Sequence, residues 1–157
     1  MKLQINVKTP KGQAESCIKT QRNALLGFKK SKQILEEKML SDHEFYWVIP
    51  CEDTKEMMKI HKKLSRGEVF IKQFYKSLFK LINKANKLAT KFDKGTSWIR
   101  KWMIKKLRGT YEEKEESGLI QQIQNMTDEE IKDFIKINDE REMKLLLAGE
   151  LITVKET

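Results

Sequence analysis

Between residues 71 and 92 apolar side chains recur at alternating intervals of three and four: Ile71, Phe74, Leu78, Leu81, Ala85, Leu88 and Phe92, with Tyr75, Ile82 and Ala89 beside them. Only an α-helix gathers such a series on one face, so this stretch predicts a long amphipathic helix. Lys72, Lys76, Lys80, Lys84, Lys87 and Lys91 take the other faces, leaving an apolar stripe and a cationic back. The stripe can sit in the chain's own core, or it can make a coiled-coil-like contact with another chain through Ile71, Phe74 and Leu78.

Asp93, Lys94 and Gly95 interrupt that helix. Thr96 or Ser97 is placed to cap a second one over residues 98–108, which Gly109 is expected to close. Trp98 and Trp102 lie one turn apart among Arg100, Lys101, Lys105, Lys106 and Arg108. Exposed tryptophan among cations suits an anionic membrane surface, a nucleic acid gripped by phosphates and stacked bases, or a protein pocket. A docked helix whose tryptophans complete the core is the plainer alternative.

The formal charge of +9 is unevenly spread: +4 over residues 1–50, +12 over 51–110 and −7 over 111–157. Residues 69–108 hold twelve Lys or Arg and one acid, Asp93, a strong positive potential unless something covers it. Only five of the 32 basic residues are arginine, and an AT-rich coding bias gives the same lysine excess. Lysine also lacks the planar fork that reads guanine or grips phosphate bidentately.

The N-terminal third reads as a small β-β-α-β-α unit. Leu3, Ile5 and Val7 alternate with polar residues, Thr9, Pro10, Lys11 and Gly12 form a turn, and residues 13–19 are expected to return as a second strand. Residues 20–40 then predict a helix carrying Leu25, Phe28, Leu35 and Met39 on one side, ended by Ser41 and Asp42. A strand over 43–49 stops at Pro50, and Thr54 opens a short helix to about residue 64. After the acidic run at 111–116, read as a solvated connection or first helical turn, Thr127 to Glu130 spell a capping box. Asn138 and Asp139 restart the chain, Gly149 ends a last helix, and residues 151–154 suit a short edge strand. Helices this short must dock on the body or on a partner.

The expected fold class is α+β in three regions: an α+β unit at 1–66, basic amphipathic helices at 67–109 packed on it or on a partner, and an acidic short-helix region at 110–157. The longest apolar run, residues 45–51, is far below the roughly 20 residues of a membrane span. With no basic stretch and apolar core at the N-terminus, the reading is a cytoplasmic protein or one within a virion or nucleoprotein assembly. Cys17 and Cys51 are expected as ordinary thiols, and with His43 and His61 they lack zinc-site spacing. No metal or cofactor is expected.

No nucleophile triad or phosphate-cradling glycine loop is present. The enzyme reading that remains is a metal-dependent nuclease built on Glu52, Asp53 and Lys55 after a strand, with Glu15 on its neighbour. Acids in that place more often cap the next helix. The leading expectation is a non-enzymatic assembly subunit, of a viral or other nucleoprotein particle, that contacts other subunits or itself through Ile71, Phe74, Leu78, Trp98 and Trp102. Beside it stands a sequence-nonspecific DNA- or RNA-binding protein that uses Lys72, Lys76, Lys80, Lys84, Arg100, Lys101, Lys105, Lys106 and Arg108 on phosphates. The acidic region is also placed to mask this basic surface.

Overall fold

A computed structural model describes residues 1–111 and 118–157. The alternation at the N-terminus becomes β1 (Lys2–Lys8), which lies inside a four-stranded antiparallel sheet with β2 (Glu36–Ser41), β3 (Glu44–Pro50) and β4 (Ile152–Glu156), in the order β2-β3-β1-β4. Leu3, Ile5 and Val7 stand opposite Ile49, Trp47 and Phe45, and all six are fully enclosed. Ile152 and Val154 continue this face onto β4, opposite Val7 and Ile5. Phe45 and Trp47 meet edge to face at 4.8 Å. The indole N–H of Trp47 donates to Glu37 on β2, whose carboxylate also accepts from Arg22.

Helices cover the inner face. They are α1 (Ala14–Leu26), the single turn α2 (Phe28–Ser31), α3 (Thr54–Thr90), α4 (Thr96–Tyr111), α5 (Gly118–Asn125), α6 (Asp128–Ile137) and α7 (Glu140–Ala148). The fold class is therefore α+β, with one apolar core into which both the sheet and the C-terminal helices pack. No described helix is long and apolar enough to cross a membrane.

Within the first 66 residues the element order is β-α-α-β-β-α. Residues 13–19, expected as a strand, open α1, because Ala14, Cys17, Ile18 and Leu25 recur at helical intervals and all are buried. The helix expected over 20–40 stops at Gly27, whose φ of 86° lies in the left-handed region that glycine enters without strain. Beyond it Leu35 and Met39 are exposed, and residues 36–41 pair with β3 as an edge strand. Ser41 thus ends β2 opposite Glu44, and Asp42 begins the hairpin turn.

The expected break before residue 67 is absent, and α3 runs unbroken for 37 residues, about 55 Å at 1.5 Å per residue. Its buried residues Leu64, Ile71, Tyr75, Leu78, Ile82 and Ala85 keep one phase across Gly67. That glycine marks a close approach rather than a boundary: a Cβ there would stand 2.6 Å from Cδ2 of the buried Leu25. Gly109 likewise does not end α4. One glycine costs a helix about 1 kcal/mol, which the burial of Ile99, Met103 and Leu107 outweighs.

The C-terminal boundaries follow their caps. Thr127 and Glu130 form the reciprocal capping box of α6, Asp139 accepts from the Glu142 amide at the start of α7, and β4 is an edge strand on β1. The expected connection at 112–116 lies outside the described residues. The helices beyond it dock on the chain's own body: Ile120, Ile123 and Ile131 are fully buried, Gln122 donates to the Gly12 carbonyl and Asn138 to that of Lys11.

Two glycine substitutions should move stability in opposite directions. Gly67→Val should lower the unfolding free energy by about 1–3 kcal/mol through overpacking, whereas Gly109→Ala, whose Cβ meets nothing within 4 Å, should raise it by about 1 kcal/mol. Urea unfolding followed by circular dichroism measures both.

Candidate functional site

On α3 the same periodicity that buries one face leaves Lys76, Lys80, Lys84 and Lys87, followed by Lys91 at the C-cap, exposed on the other. Intervals of three and four residues space them by about 4.5–6 Å along the axis. Asp93, in a left-handed conformation (φ 49°), turns the chain, and the Lys94 amide closes the helix end on the Leu88 carbonyl. From there α4 folds back along α3. Its buried series Ile99, Met103, Ile104 and Leu107 seats it on the core, leaving Trp98, Lys101, Lys105 and Lys106 exposed.

The two helices enclose a groove of about 440 Å³ lined by Ser77, Lys80, Leu81, Asn83, Lys84, Lys87, Trp102, Lys106 and Leu107. Leu107 is enclosed and Leu81 and Trp102 are half-buried, so the floor is apolar. Its walls carry four lysines and, among the described residues, no acid. None of the four makes an ion pair with a described residue. An apolar floor under four lysines with no ion pair to a described residue can take an anion with apolar parts of its own.

The structure thus brings Lys80, Lys84, Lys106 and Trp102 together. Lys87, which sequence reasoning had not placed among the binding residues, joins them, and its signal was the three-residue step from Lys84. Lys76, Lys101 and Lys105 are exposed on the same two helices, as is Arg108. Trp98 is 43% exposed, with the Lys94 ammonium 5.0 Å from its ring centre. Others lie elsewhere. Lys72 stands 3.6 Å from Glu68, whose carboxylate also accepts from the Leu151 amide beside β4. Arg100 donates to the Gln124 carbonyl and to Asp128, clamping α4 to the junction of α5 and α6. Ile71 and Leu78 are buried in the chain's own core and Phe74 packs half-buried against it, so this part of the stripe is taken up internally.

The acidic helices do not line the groove. Their described contacts with the basic body include Asp128 to Arg100 and Glu142 to Lys11.

Of the residues of the nuclease reading, Glu52 and Lys55 are exposed near the start of α3, and Glu15 and Asp53 make local contacts. Glu15 sits on α1 rather than on a strand and stands 3.4 Å from Lys19. Asp53 caps α3 by accepting from the Glu56 amide. The Glu56 carboxylate pairs with Lys30 and accepts from the Glu52 amide, and both contacts hold it below the usual glutamate range. Among the described residues no three His, Cys, Asp or Glu side chains gather as a metal site. Burial pushes the Cys17 thiol up to about 12, although the Tyr75 hydroxyl donates to its sulfur. Cys51 is also buried, while His43 and His61 are exposed.

No family model, curated protein or solved structure matches the chain.

The Glu56 contacts predict an acid-sensitive anchor at the start of α3. A carboxyl group depressed in the folded state stabilises the fold above the unfolded value, ordinarily 4.5, and this contribution fades as pH falls through the folded value. Glu56→Gln should therefore reduce stability at pH 7 and flatten its decline below pH 4.5, measured as thermal midpoints across pH.

Proposed function

We propose that the chain binds nucleic acid through the phosphate backbone, without reading sequence, along the surface formed by α3 and α4. The observation that carries this reading is the groove whose walls hold Lys80, Lys84, Lys87 and Lys106 with no described acid. The cations continue past it at Lys76, Lys91, Lys101 and Lys105, and a charge that extends along a helix suits a polymer better than a small anion. Sequence-independent contact follows from the donors. Lysine is a point charge without the forked geometry of base recognition, and Arg100 is already held by Asp128.

Assembly with other chains, the leading expectation from the sequence, draws on Ile71, Phe74, Leu78, Trp98 and Trp102, of which α3 buries Ile71 and Leu78 in the chain's own core while Trp98 stays 43% exposed. Surface charge is therefore the stronger guide to function.

The test is fluorescence anisotropy with labelled oligonucleotides of unrelated sequence at several salt concentrations. Affinity should fall steeply with salt and vary little with sequence. Lys80→Ala/Lys84→Ala/Lys106→Ala should reduce the slope of log K against log salt by roughly 2–3, since each phosphate contact contributes about 0.7–0.9. Lys19→Ala/Lys144→Ala, on α1 and α7, is the control of similar charge type. An unchanged slope and affinity in the triple variant would overturn the assignment.

A further inference from the structure

Resting on that reading, we infer that the strand bound is single, with unstacked bases packed against Trp98 and Trp102. Duplex and single strand both offer phosphates, so the lysines alone do not choose between them. The apolar surfaces do. A duplex keeps its base faces stacked inside and presents phosphate and sugar outward, leaving an apolar floor of Leu81, Leu107 and Trp102 with little to cover it. A single strand exposes base faces that gain by stacking on aromatic rings in a positively charged groove.

The placement of rings and charges fits this division. Trp102 lines the groove beside Lys84 and Lys87. One turn earlier on α4, Trp98 is 43% exposed and has the Lys94 ammonium 5.0 Å from its ring centre. Successive rings on one helix face are about 6 Å apart along the axis, as are lysines four residues apart on α3. The rings of α4 and the lysines of α3 thus advance at a similar pitch, with Lys106 adding a cation on the α4 side, and a strand lying between them can turn most of its phosphates to α3 and its bases to α4. Trp47 is fully buried in the sheet, so fluorescence changes on binding report Trp98 and Trp102.

The experiment compares three ligands of equal phosphate number at one salt concentration: oligothymidylate, an abasic deoxyribose-phosphate strand and a duplex. Binding is read by anisotropy and by quenching of tryptophan emission. Oligothymidylate should bind between about 5- and 150-fold more tightly than the abasic strand for each stacked base, and it alone should quench strongly. Trp98→Ala should lower the ratio of oligothymidylate to abasic-strand affinity by at least about fivefold. The wild-type comparison needs no variant to fold. If all three ligands bind equally without quenching, and the lysine triple variant still weakens each, stacking is wrong and phosphate binding stands. If the lysine variant changes none of them, the functional reading fails and the inference fails with it.

Discussion

The buried stripe of α3 is the constraint on which the other layers depend. Leu64, Ile71, Tyr75, Leu78, Ile82 and Ala85 lie in one phase along the helix, and α1, α4, α6, α7 and β4 all pack on it. Because one periodicity sets both faces, the positions excluded from the stripe are those that carry lysine to the surface. Core and cationic ridge have one cause, so the ridge is as rigid as the core behind it. Side chains on such a scaffold hold their spacing better than side chains on a loop.

The parts of the fold legible in the sequence were those set by neighbouring residues. The heptad series, the capping box at Thr127 and Glu130, and the alternation of Leu3, Ile5 and Val7 each declare themselves within a few positions. Residues 36–41 were misread because the deciding partner lies across a hairpin, whereas the helical spacing of Ala14, Cys17 and Ile18 was already present in residues 13–19. The Ala14 amide donates to the Asp42 carbonyl, and Glu37 faces Trp47 across a hairpin. Gly67 shows the same limit. The expected division between residues 66 and 67 falls inside α3, and the role of Gly67 comes from Leu25 on another helix.

The candidate site divides in the same way. Its individual lysines and Trp102 were visible from composition and spacing, but the groove exists only where α4 returns along α3, a relation set by Ile99, Met103 and Leu107 meeting the core. Arg100 looked equivalent to Lys101 and Lys105 in the sequence and differs because the Gln124 carbonyl and Asp128 lie within reach. Charge counted along a chain overstates the charge available to a ligand whenever tertiary contacts recruit some of it for structure.

The position of β4 has a consequence for how the molecule forms. Val7 pairs with Ile152 and Leu3 with Glu156, so the inner strand β1 is made well before β4, one of its two neighbours. A ladder of such high contact order requires closure of a very long loop and slows folding. During translation β1 can pair with β3 but keeps its other edge open, a template for unwanted strand addition. Completion of the sheet, rather than formation of the long helix, then sets the interval during which the nascent protein is vulnerable to aggregation.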